Sequence, residues 1–302
     1  MTQQQLIIKP EVTAFFEART NTFSYVVKDP TSNACAVIDS VLDFDYPSGG
    51  VSYTSADQII QHVQDHGLEV VYLIETHVHA DHLSAAPYIQ SVVGGKIAIS
   101  KHIHEIQNTF GKLFNEGTEF QRDGSQFDFL FDEDQTYAIG SLKGKALHTP
   151  GHTPACMTHV IGDAAFIGDT LFMPDAGTAR ADFPGGDARV LFRSIGKVLS
   201  LPANTRLFMC HDYQPNGREL KYLTTVSEQR ANNIHVKDGV TEDEFVAMRE
   251  ARDKTLGMPN LILPSLQTNM RAGHFPRPAD NATVYLKVPV TGLKPNLIER
   301  KD

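Results

Sequence analysis

The stretch Val70-Val71-Tyr72-Leu73-Ile74-Glu75-Thr76-His77-Val78-His79-Ala80-Asp81-His82 begins as a short continuous apolar run and ends as a cluster of polar, metal-competent side chains. The apolar half has the length and composition of a buried strand. It follows a predicted helix with Ser55 as N-cap, Gln58 three residues on, Ile59, Ile60 and Val63 on one face, and Gly67 at its end. A further helix is predicted after the histidines, so strand and helix alternate. In open α/β layers ligand chemistry collects beyond the carboxyl ends of strands, and His77, His79, Asp81 and His82 stand there.

Toward the N-terminus, Phe23-Ser24-Tyr25-Val26-Val27 and Ala34-Cys35-Ala36-Val37-Ile38, split by Asp29-Pro30-Thr31-Ser32-Asn33, predict a hairpin. Toward the C-terminus a second strand-rich block is expected from about Phe127 to Phe172, containing the runs 127–131, 157–161 and 164–167, with His152 and Asp169 in its turns. A helix is predicted from about Asp187 to Leu201, then a strand, Leu207-Phe208-Met209-Cys210, delivering His211 and Asp212. After about Ala231, Thr241 with Glu244 predicts a capping box for a helix around Phe245, Met248 and Arg252. The remainder, with Pro259, Pro264, Pro276, Pro278, Pro289 and Pro295, reads as irregular structure. Two units follow, a catalytic domain over 1–230 and an extension over 231–302 packed on it.

Composition bounds the function. The chain has 302 residues, 41% of them apolar and 21% charged, enough to bury a full core. With 22 glycines and 16 prolines and no short repeat, collagen-like and low-complexity classes are excluded. A net charge of −9 without a basic run argues against a nucleic-acid partner. Three scattered cysteines, Cys35, Cys156 and Cys210, make no disulfide framework and point to a reducing compartment. The start, Met1 to Pro10, lacks a basic flank and long apolar stretch, and no segment reaches the roughly 20 apolar residues of a membrane span. A cytoplasmic protein with no membrane partner is expected.

In a turn His77, His79, Asp81 and His82 can converge, whereas along a regular strand they would split between two faces. Neutral imidazole and carboxylate are ligands of borderline divalent metals. Thr149-Pro150-Gly151-His152-Thr153-Pro154, Ile167-Gly168-Asp169-Thr170 and Cys210-His211-Asp212-Tyr213 each follow an apolar strand and add a donor. Singly, His152 reads as a turn residue, Asp169 as a helix cap and His211 as a core histidine. Together with the first cluster they read as one metal site.

HVHADH at 77–82, GHT at 151–153, GDT at 168–170 and the late His211 resemble the ordered signature of the metallo-β-lactamase superfamily, over roughly residues 10 to 230. The resemblance implies an α/β fold, an αββα sandwich with metal between the two sheets, here with a C-terminal extension. Within the superfamily the ligand list fits the glyoxalase II thioesterases, which use two metals. The flanks, Gly177-Thr178-Ala179-Arg180-Ala181-Asp182-Phe183, His211-Asp212-Tyr213 and Asn269-Met270-Arg271-Ala272-Gly273, resemble the persulfide dioxygenases. Met173-Pro174-Asp175 through Gly185-Gly186-Asp187 is similar to the bacterial, Blh-type members.

That resemblance implies one Fe(II) per chain held by His77, His152 and Asp169, with His79, Asp81, His82 and His211 orienting water, substrate or ligands. It implies oxidation of glutathione persulfide by O2 and water to sulfite and glutathione, by a homodimer. Arg180 and Arg271 are expected to pair with substrate carboxylates, the alternative being surface salt bridges. Tyr213 is expected against the substrate's peptide backbone or packed in the core, and Asp175 as a further substrate contact. Cys156 and Cys210 are assigned no catalysis. Two departures stand out. The long separation of His77 from His152 predicts an insertion around His102 to Phe131 that reshapes the rim of the site, and Ala272 stands where the resemblance leads to cysteine. A glyoxalase II-like zinc thioesterase and a non-catalytic persulfide sensor are the competing readings. A dehydrogenase lacks support, because no strand-to-helix turn carries the dinucleotide-binding glycines.

Overall fold

In this computed structural model, residues 8–294 and 297–298 are described, so the readings of residues 1–7 and of Pro295 lie outside them. The first half of the chain comprises β1 (Glu11–Glu17), β2 (Thr22–Lys28), β3 (Ala34–Ile38), β4 (Val41–Asp45), β5 (Gly50–Ser52), α1 (Thr54–Asp65), β6 (Glu69–Ile74), β7 (Leu83–Ser84), α2 (Ala86–Val93), β8 (Lys96–Ser100), α3 (Ile103–Leu113) and β9 (Phe129–Phe131). The second comprises β10 (Thr136–Ile139), β11 (Leu142–His148), β12 (Met157–Ile161), β13 (Ala164–Phe166), α4 (Ala188–Leu199), β14 (Arg206–Phe208), β15 (Leu223–Thr225), α5 (Val226–Asn232), α6 (Glu242–Asp253) and α7 (Ile262–Asn269). One six-stranded sheet runs β1-β2-β3-β6-β8-β9, the other β10-β11-β12-β13-β14-β15, and β5-β4-β7 form a small third sheet.

The period-two alternation of side chains along a strand sorts the apolar residues into three cores. Phe23, Tyr25, Ala36, Ile38 and Ile74 of the first sheet meet Met157, Ile161, Phe166 and Phe208 of the second, which makes the middle layer. On the outer side of the first sheet, Val37, Leu73, Ile97 and Ile99 pack under Ile59 and Val63 of α1, Ile89 of α2 and Ile106 and Phe110 of α3. Outside the second sheet, Ala165, Leu207 and Met209 pack under Leu191, Ile195 and Val198 of α4, Val226 of α5 and Phe245 of α6. The result is the expected αββα order. Emptying one large position between the sheets, as in Phe166→Ala, removes a ring with 1% exposure and is of order 3–5 kcal/mol.

The hairpin is present, with Val26 opposite Val37, and so is the capping box of Thr241 and Glu244. Four expectations change. Tyr53, not Ser55, occupies the N-cap of α1. Ser55 lies inside the first turn, and its amide and hydroxyl both donate to Asp43 on β4, at 2.9 and 2.8 Å, so a distant carboxylate does the work of a local cap. The run ending at Phe131 closes the first sheet, parallel to β8, instead of opening the second. The 102–131 segment sends Ile103, Ile106, Phe110, Phe114, Phe120 and Phe127 into the outer core and lines no part of the cleft described below, so it leaves the rim unchanged. The region after Pro259 carries α7, whose Leu266 joins the same core together with Met270 just past the helix end. No helix among the described residues is long and apolar enough to cross a membrane.

His159 on β12 is buried between the sheets, where the Tyr137 hydroxyl donates to its Nδ1 across 3.0 Å. Burial pushes this imidazole down to about 4, against a weaker opposing pull from Asp39. It folds neutral, whereas in the unfolded chain it takes a proton near 6.5. Stability is therefore complete above that pH and declines as pH falls toward about 4. His159→Gln is expected to flatten this acid limb in urea titrations run at fixed pH. An unchanged slope would assign the proton uptake to other groups.

Candidate metal centre

Strand ends build the site. β6 ends in the loop carrying His77, His79, Asp81 and His82; the β11–β12 turn carries His152; a 3-10 turn after β13 carries Asp169; the segment after β14 carries His211. Two glycines enforce the turns. Gly151 has φ +131° and its absent Cβ would lie 2.3 Å from the backbone of Leu191; Gly168 has φ +49° and its Cβ would lie 2.6 Å from Thr76 Oγ1. Both conformations belong to glycine.

Hydrogen bonds at one ring nitrogen leave the other as a lone pair facing the centre. The Thr76 hydroxyl donates to Asp39 at 2.9 Å, so its oxygen accepts from His77 Nδ1 at 3.0 Å and frees His77 Nε2. His152 Nδ1 donates to the Arg180 carbonyl at 2.8 Å and His82 Nδ1 to that of Leu83 at 3.2 Å. His211 Nδ1 lies 3.3 Å from the Asn21 carbonyl, to which it donates. His79 is turned the other way: its Nε2 donates to Asp39 at 3.0 Å and lies 3.4 Å from Glu75. Burial and the neighbouring histidines hold His77 well below its ordinary range, and burial pushes His82 down to about 3, so both are neutral donors. Against the lowering that burial imposes, Asp39 lifts His79 well above its ordinary range.

Ligand atoms of His77, His152 and Asp169 lie within 4.8 Å of one another, as do those of His79, Asp81 and His82. Asp169 joins the two sides. Its Oδ2 is 3.6 Å from His152 Nε2 and 3.9 Å from His77 Nε2, while its Oδ1 is 3.3 Å from His211 Nε2, itself 3.2 Å from Asp81. His77 Nε2, His79 Nδ1, Asp81 Oδ2, His82 Nε2, Asp169 Oδ1 and His211 Nε2 are all buried without a hydrogen-bond partner. Such orphaned donors in one place are costly unless a cation satisfies them, so the residues fit a divalent metal.

The expected substrate contacts divide. A cleft of about 1100 Å³ above the centre is lined by Arg180, Tyr213 and Asp175 but not by Arg271. Arg180 already pairs with Asp182 at 2.6 Å, donates to the Gly257 carbonyl at 2.7 Å and covers Phe183. Tyr213 is half exposed, its ring stacked on His211 at 5.7 Å. Asp175 is bound by Arg218, which also holds buried Asp212 at 2.6 Å. Arg271 points elsewhere: it pairs with Glu116 at 2.7 Å, donates to the Gln267 carbonyl and covers Phe120, fastening α7 to the segment after α3. Ala272 is buried at φ +56°. Cys156 and Cys210 are buried free thiols, both raised in pKa by burial.

Sequence reading missed the residues that hold the ligands. Asp39 follows β3 directly, and Glu75 and Thr76 follow β6, so their signal was their place at strand ends. Asn269 gave only the signal of its flanking motif. Its side chain accepts from Ser84 N at 2.8 Å and donates to the carbonyls of His79 and His82 at 2.9 and 2.8 Å.

Residues 18–211 match the family model of the metallo-beta-lactamase superfamily. The chain is 58% identical to a probable metallo-hydrolase of Burkholderia pseudomallei, over 93% of this chain and 99% of the relative. It is 44% identical to Glyoxylase B2 of Dictyostelium discoideum, over 95% and 99%. It is 29% identical to the mitochondrial persulfide dioxygenase ETHE1 of Bos taurus, over 85% and 87%. The crystal structure of ETHE1 from Myxococcus xanthus superposes with a TM-score of 0.69 at 25% identity, covering 87% of this chain and all of that one.

Asn269→Ala removes three hydrogen bonds from the loop that carries His79, Asp81 and His82. Retention of metal during dialysis against a graded chelator is expected to weaken roughly 10–100-fold, with His77→Ala as the reference for outright loss. Metal retention equal to that of the unaltered chain would show that the loop keeps its shape without Asn269.

Proposed function

The chain belongs to the metallo-β-lactamase superfamily, and from that premise we propose that it is a persulfide dioxygenase. It converts glutathione persulfide, O2 and water to glutathione and sulfite at one Fe(II) held by His77, His152 and Asp169. The observation that carries this reading is the convergence of two imidazoles and one carboxylate within 4.8 Å, the donor set of non-haem iron oxygenases with positions left open for reactants. Bound there, Fe(II) supplies the redox chemistry toward O2 that zinc lacks.

The protein's part is orientation and enclosure. Thr76 and the Arg180 carbonyl fix the two imidazoles, both facing the same oxygen of Asp169. Phe183 packs edge-on against His152 at 5.3 Å and Phe172 against His211 at 6.1 Å, so apolar rings exclude water from the ligand shell. Tyr213 stands at the lip, where its hydroxyl meets a peptide-like substrate. The likeness to ETHE1 over 85% of this chain supports the assignment.

A second reading, a glyoxalase II-like binuclear zinc thioesterase, has an observation of its own. The two oxygens of Asp169 face different donor sets, the second including His211, with Asp81 beside it, so the same carboxylate would serve both sets if two ions were held. The 44% likeness to Glyoxylase B2 also favours it.

Iron-loaded protein is expected to consume O2 when given freshly made glutathione persulfide, and zinc-loaded protein in the same experiment is not. Asp169→Asn should abolish that uptake together with iron retention. Hydrolysis of lactoylglutathione by the zinc-loaded protein, with no O2 uptake by the iron-loaded one, would replace the dioxygenase with the thioesterase.

A further inference from the structure

Four guanidinium groups line the cleft above the metal centre, and three are engaged within the chain. Arg19 pairs with Glu17 and Asp43, each at 3.4 Å. Arg180 is forked onto Asp182 at 2.6 and 2.8 Å. Arg249 is buried, paired with Asp253 at 2.6 Å and donating to the Thr178 carbonyl at 3.1 Å. Arg252, one turn further along α6, is the fourth. It is exposed, and among the described residues its side chain meets no carboxylate or carbonyl.

Its surroundings in the cleft favour an anion. Ile234, Leu256 and Met258 line the same cleft at 58%, 40% and 61% exposure, large apolar side chains left open to solvent. Exposed beside that wall and without a carboxylate partner among the described residues, the guanidinium offers its whole fork to a planar anion. A carboxylate approaching Arg180 would have to displace Asp182, and one approaching Arg249 would have to enter the core. At Arg252 it breaks no ion pair among the described residues.

We propose that Arg252 is the specificity anchor of the cleft, binding a terminal carboxylate of a peptide-like thiol substrate; this rests on the glutathione persulfide reading above. Arg252 lies within the predicted C-terminal extension, so that extension contributes to substrate choice as well as to packing. Because the Arg252 side chain holds no partner among the described residues, its removal weakens substrate binding and spares the fold.

The test is calorimetric titration of zinc-loaded holoenzyme, which does not turn over, with reduced glutathione, glutathione whose glycine carboxylate is replaced by a carboxamide, and cysteinylglycine. The last two each lack one terminal carboxylate of glutathione. Arg252→Ala is expected to weaken glutathione binding roughly tenfold or more, Arg252→Lys to weaken it less, and the melting temperature to stay unchanged. Whichever of the two lacks the anchored carboxylate should bind the unaltered chain and Arg252→Ala equally. Equal glutathione affinity in the unaltered chain and Arg252→Ala overturns the anchor while leaving the glutathione reading in place. Failure of the unaltered chain to bind any of the three thiols overturns the glutathione reading, and the anchor with it.

Discussion

The Asp39 carboxylate is the constraint on which the site is built. Buried, it accepts from Thr76 N at 2.7 Å, Thr76 Oγ1 at 2.9 Å and His79 Nε2 at 3.0 Å. A buried charge is tolerated only when its lone pairs are satisfied and an opposite charge stands nearby. Burial would raise Asp39, yet His79 and the Thr76 bonds hold it below the usual carboxylate range. The backbone at Asp39 turns through φ 52°, and its amide donates to the Ile74 carbonyl, locking the ends of β3 and β6 together. Orientation then passes outward through Thr76 to His77, so one carboxylate decides which nitrogen of two histidines carries a proton.

A second set of buried bonds closes the site from the far end of the chain. Asn269 clamps the histidine loop through two carbonyls. Buried Arg249 and Asp253 of α6 hold the segment after Asp169, Arg249 at the Thr178 carbonyl and Asp253 at the Ala181 amide, 2.9 Å away. That segment supplies the Arg180 carbonyl which orients His152. Residues 231–302 therefore carry partners of the ligands themselves, and Phe245 and Leu266 carry them into two of the three cores. Breaking the Arg249–Asp253 pair would leave one buried charge uncompensated, which is far more costly than losing a surface pair.

Much of this could be read from the chain in order. The histidine cluster, the Gly151 and Gly168 turns and the strands before them are local: apolar periodicity marks the strand, glycine marks the turn, and the donor follows at a fixed offset. The cap of α1 could not be read so, since Ser55 looks like an N-cap until Asp43 takes both its donors. The strand 129–131 has the same apolar content whichever sheet it joins, and its parallel register with β8 is a property of the assembled layer. Arg271 looked like a carboxylate receptor for a substrate and is instead a receptor for Glu116.

The resemblance to the metallo-β-lactamase superfamily implied the layer order, and the sequence by itself determined the strand-end placement of the donors and the donor types. Those follow from neighbours along the chain, through side-chain period and turn chemistry. Tertiary structure alone decided that Asp39 and Asn269 hold the histidine loop, that Asp175 and Arg271 are bound to partners within the chain, and that Arg252 lines the cleft with no ion-pair partner among the described residues. A buried charge or amide takes whichever partner the packed sheets bring within reach, and residues far apart in sequence carry no local mark of that meeting.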